Sequence, residues 1–143
     1  ELLGADKARP QPPAHHAPKW RATLKAAPLS LRQKHHLRIY GSAIEDVLEL
    51  GTKPLCEHAG AIDGEVRYVA RNEHVHSLAD IMMRRTGISW GACRGLCCAE
   101  TVAAIAAKEL GWKAVQRKRE PKAFQEELDF HLPTLDLLEK ETS

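Results

Sequence analysis

From Leu29 onward the apolar residues recur at helical spacing. Leu29 to Tyr40 reads as a first helix, ending at Gly41, a residue suited to the left-handed position after a helix. Ser42-Ala-Ile-Glu45 has the form of a capping box, in which the serine oxygen accepts a backbone N–H and the glutamate reaches back. Ile44, Val47 and Leu48 share a face of the helix that follows, and Gly51 stops it. Residues 52–63, with Pro54 and Gly60, read as a loop. Val66, Val69 and Ala70 predict a third helix with Asp63 as its N-cap. Ser77-Leu-Ala-Asp80 is a second, weaker capping box, and Leu78, Ile81 and Met82 form the stripe of a fourth helix that Gly87 ends.

Residues 87–97 read as an irregular, cysteine-bearing loop. From about Cys98, Val102, Ile105, Ala106 and Leu110 line one helical face. Glu100 near its start and Lys108 near its end both suit the helix dipole, and Gly111 closes the helix. A last stretch runs from Trp112 to about Leu132, with Phe124, Leu128 and Leu132 turned inward and a break or kink expected at Pro121. No run alternates in the manner of a half-buried strand. The expected fold is therefore all-α, a bundle of five or six short helices over residues 29–132 with an extended N-terminal arm and a tail over 133–143.

The arm follows from proline. Pro10, Pro12, Pro13, Pro18 and Pro28 each fix φ and remove a backbone donor, so residues 1–28 read as a linker or arm. Charge is uneven: residues 1–41 carry +6 and residues 42–143 carry −4, leaving a net charge of +2 over 143 residues. That balance does not announce a nucleic-acid partner, and Arg117-Lys118-Arg119 reads as a solvated helix face. Hydrophobic residues make up 43% and aromatics only 5%, so the core must be aliphatic and alanine-rich. The longest stretch free of charged residues, Pro10 to Pro18, is too short and too polar to cross a membrane, and a cytoplasmic location is expected. The chain opens on Glu1-Leu2-Leu3-Gly4 with no initiator Met and no apolar signal segment, and is expected to be a piece of a longer protein.

Most catalytic signatures are missing. Gly60-Ala-Ile-Asp-Gly64 lacks the third glycine and the strand of a dinucleotide loop, and there is no serine elbow or HExxH. Adjacent histidines point to different helix faces, so His35-His36 reads as ordinary surface, as do His74 and His76 near a helix junction. The charged residues Glu65, Arg71, Glu73, Arg84 and Arg85 read as structural ion pairs, or as an interdomain contact through Arg71, Arg84 and Arg85. The informative feature is sulfur. Cys56-Glu-His58 is followed, after 34 residues, by Cys93-Arg-Gly-Leu-Cys97-Cys98. Three thiols flank a glycine in a loop that opens a helix, where backbone N–H groups favour thiolates. This is a half-site for a soft metal or an iron–sulfur cluster, with Cys56 and His58 able to complete it. The more ordinary reading of the same residues is free thiols, since cysteine is often a small core hydrophobe.

Four segments in fixed order carry a resemblance: Ile39-Tyr40-Gly41-Ser42, Gly64-Glu-Val-Arg-Tyr-Val-Ala-Arg-Asn-Glu73, Arg84-Arg85-Thr86-Gly87 and Glu109-Leu-Gly-Trp112. Over roughly residues 29–130 the chain resembles the C-terminal helical domain of FAD-dependent glycerol-3-phosphate dehydrogenases and α-glycerophosphate oxidases. The resemblance implies a parent enzyme that oxidises sn-glycerol 3-phosphate to dihydroxyacetone phosphate, with FAD and substrate held by an N-terminal α/β domain. It implies electrons passed to a quinone or to oxygen, a parent peripheral on the inner membrane, and possible homodimers. This domain would be a non-catalytic cap with no cofactor of its own. Arg84 to Cys98 is also similar to the segment that binds a [2Fe-2S] cluster in bacterioferritin-associated-ferredoxin-like domains, whose pattern is Cys-x-Cys followed by a second close cysteine pair. That similarity implies an electron-transfer or metal-binding module, with a cluster or zinc on Cys56, His58, Cys93 and Cys98 and with Cys97 as substitute. Here His58 stands where the pattern has its second cysteine.

Overall fold

A computed structural model describes residues 19–134 and Lys140. The expected arm over residues 1–18 and most of the expected tail lie outside the described residues. Among the described residues there are six α-helices: α1 (Lys19–Ala26), α2 (Leu31–Leu37), α3 (Ile44–Leu50), α4 (Asp63–Asn72), α5 (Ala99–Leu110) and α6 (Ala114–His131). Shorter pieces link them: 3₁₀ turns at Arg38–Ala43 and Ile88–Trp90 and a π-helical segment at Asp80–Arg85. The only β-pairing among the described residues is an isolated bridge between Pro54 and Ile62, so the all-α expectation holds.

Several local expectations are met and several are replaced. Asp80 Oδ2 accepts from the Ser77 N–H (3.1 Å) while Ser77 Oγ accepts from the Asp80 N–H (3.1 Å), which is the second capping box as predicted. The first box does not form. Ala43 caps α3 without a side-chain bond, and the reciprocal pair is instead Ser30 with Gln33 at the start of α2. The first helix also ends earlier than its apolar spacing suggests. After Leu37 the chain tightens into the 3₁₀ turn, with Gly41 at φ 50° and ψ −123° rather than in a left-handed helix cap. That tighter winding carries Tyr40 onto the core-facing side of α4. Asp63 is the first residue of α4 and not its cap; its carboxylate accepts from the Lys53 N–H (2.9 Å) across the preceding loop.

Two further corrections concern proline. Residues 19–26, read as extended, are helical: Pro18 and Pro28 bracket the segment without entering it, and Leu24 is buried. Pro121 lies inside α6, yet the helix is unbroken from Ala114 to His131. Proline deletes one donor there, but Glu120, Phe124 and Leu128 anchor the helix to the core on both sides of it.

Packing centres on α4, which lies against α3 on one side and α5 on the other. Gly64 makes the first contact possible: a Cβ there would sit 2.2 Å from the Val47 carbonyl oxygen. The larger apolar cluster joins Val66 and Val69 of α4, Leu78, Ile81 and Met82, Val102 and Ala106 of α5, and Phe124 and Leu128 of α6. A smaller one joins Leu24, Leu37, Ile44, Val47 and Ile62. Each large side chain so buried contributes about 1.5–3 kcal/mol of transfer free energy.

Candidate functional site

Two loops meet beside the larger cluster. The first, between α3 and α4, closes like the neck of a hairpin: Leu55 N–H donates to the Ala61 carbonyl (3.2 Å) and Asp63 N–H to that of Lys53 (2.9 Å). Arg32 of α2 braces it by donating to the Glu57 carbonyl (2.9 Å). The second loop runs from Gly87 to Cys98 as successive tight turns, with Arg94 N–H bonded to Gly91, Leu96 N–H to Cys93 and Cys98 N–H to Gly95. Arg94 and Gly95 both have positive φ, 55° and 78°. A side chain at Gly95 would strike Met82 Cε at 2.6 Å, so glycine lets the loop settle on the core. Arg94 is held in its strained conformation by Asp129 (3.1 Å) and the Leu132 carbonyl (2.6 Å) of the α6 end.

The result is a convergence of sulfur and nitrogen. One donor atom from each of Cys56, His58, Cys93 and Cys97 lies within 4.8 Å of every other. Cys56 Sγ is 3.9 Å from Cys93 Sγ, Cys97 Sγ is 3.1 Å from Cys93 Sγ, and His58 Nδ1 is 4.0 Å from Cys97 Sγ. The Ala59 N–H donates to Cys56 Sγ (3.2 Å). Cys98 lies outside this group though beside Cys56: it precedes α5, is 1% exposed, and its thiol donates to the Gly95 carbonyl (3.4 Å). Of the five sequence-predicted ligands, the fold thus gathers Cys56, His58, Cys93 and Cys97, with Cys97 where Cys98 was expected.

The thiols are electrostatically unequal. Burial works to raise Cys93, but the hydrogen bonds from Cys97, the Gly95 and Cys97 N–H groups and Cys56 outweigh it and hold its pKa below the ordinary thiol value. Cys97 is pushed up to about 12 by desolvation and by its neighbour Cys93. Cys98 is raised as well, chiefly by burial.

The three arginines singled out in the sequence are each engaged by a carboxylate of this same domain. Arg71 forms a two-pronged contact with Glu109 (2.6 and 3.1 Å), which Arg67 joins at 3.3 Å. Arg84 bridges Asp80 (3.2 Å) and Glu127, and Arg85 meets Glu73 (3.2 Å). Glu65 does not belong to that set. It is fully buried and accepts from Tyr40 Oη (2.8 Å) and the Ile62 N–H (3.1 Å), with His36 Nε2 at 2.8 Å. His36, expected on the surface, is part of this network. Burial and the Glu65 carboxylate hold the Tyr40 phenol far above its ordinary pKa.

A family profile described as the C-terminal domain of alpha-glycerophosphate oxidase matches residues 1–117. The chain belongs to that family. Within this C-terminal domain family the similar proteins include glycerol-3-phosphate dehydrogenase 2 of Mycobacterium bovis and of Mycobacterium tuberculosis, each 38% identical over 96 residues. Glycerol-3-phosphate dehydrogenase of Mycobacterium leprae is also 38% identical over 96 residues. Each alignment covers 62% of this chain and 16% of the relative, so the chain spans a small part of the proteins it matches. No solved structure matches it.

Neither implied cofactor fits these residues. A dinucleotide needs a strand, a glycine-rich turn and a helix N-terminus to cradle its pyrophosphate, and no strand occurs among the described residues. A two-iron cluster divides its four protein ligands between two metals, placing them farther apart than the ligands of one ion. Here four donors surround one point, and Cys98 is turned into the core.

Proposed function

We propose that this domain is the non-catalytic, helical C-terminal cap of an FAD-dependent glycerol-3-phosphate dehydrogenase. The parent oxidises sn-glycerol 3-phosphate to dihydroxyacetone phosphate and passes electrons to a quinone or another acceptor, with FAD on an N-terminal domain of the same chain. The observation that carries this reading is the family match over residues 1–117, joined by relatives named as glycerol-3-phosphate dehydrogenases. The self-contained polar chemistry of the helices agrees with a structural role. Arginines pair with carboxylates of the domain itself, and no described buried side-chain N or O atom lacks a partner.

As a cap, the domain packs on the flavin domain and shapes access to it. The half-exposed guanidinium groups of Arg71, Arg84 and Arg85 lie on its surface and supply the interdomain contact. No described helix is long and apolar enough to cross a membrane, and the parent is placed peripherally on the inner membrane. The test is to delete this domain from the full-length dehydrogenase and supply it in trans. The cap alone should neither retain flavin nor reduce a dye with glycerol 3-phosphate, while its addition should restore what deletion removes. Turnover by the cap alone overturns the reading.

A further inference from the structure

The mismatch between a two-metal cluster and the observed donors points to a different occupant. We infer that Cys56, His58, Cys93 and Cys97 form a mononuclear, four-coordinate site for a soft divalent cation, zinc in the first instance, and that Cys98 is no part of it. The inference stands on geometry alone and is independent of the cap reading.

Three observations carry it. First, the donor set is three sulfurs and one imidazole nitrogen, a combination that zinc accepts in closed structural sites. Second, the spacing suits one ion. Zinc–sulfur bonds of about 2.3 Å in a tetrahedron place neighbouring sulfurs about 3.8 Å apart. Cys56 and Cys93 are at 3.9 Å, and His58 Nδ1 and Cys97 Sγ at 4.0 Å, so both contacts need only small adjustments. Cys93 and Cys97, at 3.1 Å, must part slightly, as they would on exchanging a thiol–thiol hydrogen bond for a shared ion. Third, the fold aims the thiols. The two left-handed residues, Arg94 and Gly95, turn the chain so that Cys97 faces Cys93 while Cys98 enters the core.

Binding releases the protons of three thiols to solvent and uses His58 as a neutral ligand, leaving a site of net charge −1. Both ends of the site belong to loops, one before α4 and one before α5. The ion therefore staples two segments that already share the larger apolar cluster through Leu55, Ala59 and Ile88.

The full chain is tested by loading with zinc or cobalt(II), and separately by anaerobic purification from iron-supplemented cells with iron and acid-labile sulfide assays. The expected result is one zinc per chain, no labile sulfide, and a cobalt form with tetrahedral bands that saturate at one equivalent. Cys97→Ser and Cys93→Ser should weaken zinc binding by about 100-fold or more, whereas Cys98→Ala should keep it. Because Cys98→Ala also leaves a cavity in the core, a second measurement uses the unaltered chain: zinc should protect Cys97, exposed without metal, from alkylation. Stoichiometric iron and sulfide, equal labelling of Cys97 with and without zinc, or metal lost in Cys98→Ala but retained in Cys97→Ser overturns the inference.

Discussion

Two polar centres join distant parts of this chain, and they do so in opposite ways. At the first, Glu65 of α4 is fully buried and its carboxylate is met by Tyr40, His36 and the Ile62 backbone. At the second, Cys56, His58, Cys93 and Cys97 converge in a half-open position where the thiols find one another. The first centre is complete with groups the chain supplies. The second gathers three sulfurs and one imidazole nitrogen within 4.8 Å of one another. On the inference drawn above, the contrast separates a site that serves the fold from one that takes an added ion.

The sharpest way to break the contrast is to empty the first centre. Glu65→Ala strands the Tyr40 hydroxyl and the Ile62 N–H in the interior and should cost about 3–5 kcal/mol in chemical denaturation. Glu65→Gln keeps an acceptor and should cost less. A loss as small as that of a surface substitution would show that the network does not hold α4 in place.

The second centre should respond to metal. Zinc at about 100 times its Kd should raise the free energy of unfolding by about 2.7 kcal/mol, and a chelator should remove that gain. Tyr40→Phe removes one hydrogen bond to a carboxylate and leaves the packing of its ring against Tyr68, for a loss of about 1.5 kcal/mol by thermal unfolding.

The smallest effect is a control on an ion pair outside both centres. The hydrogen bonds from Arg71 and Arg67 hold Glu109 below the ordinary carboxylate pKa, against the opposing effect of burial. Its contribution to stability is therefore present above the ordinary pKa of 4.5 and is lost as pH falls through the lower folded value. The stability difference between the native chain and Glu109→Gln should close as pH is lowered below 4.5, measured by denaturant titration at each pH.

Much of the fold was legible because apolar spacing and core position coincide. Ile44 and Val47, Val66 and Val69, Leu78 and Ile81, and Phe124 and Leu128 all lie where their periodicity placed them, in the interior. The breaks were harder to read. Pro121 marks a potential interruption that packing on both sides overrides, and the prolines around α1 flank a helix. Glu65 was grouped with the arginine ion pairs, although it sits four residues before Val69 on the inward stripe of α4. That position was the available signal for a buried carboxylate. The four-donor group was half legible. Cysteine and histidine spacing pointed to residues that the fold brings together, but telling which of the adjacent Cys97 and Cys98 joins them required the backbone turn at Arg94 and Gly95. Spacing along a chain does not carry that handedness.

The unequal exposure of those two adjacent thiols gives the molecule an internal clock. A thiol reagent meets Cys97 at once, since it faces solvent, and reaches Cys98 only when the interior opens. The slow phase of labelling then reports how often the native state opens around Cys98.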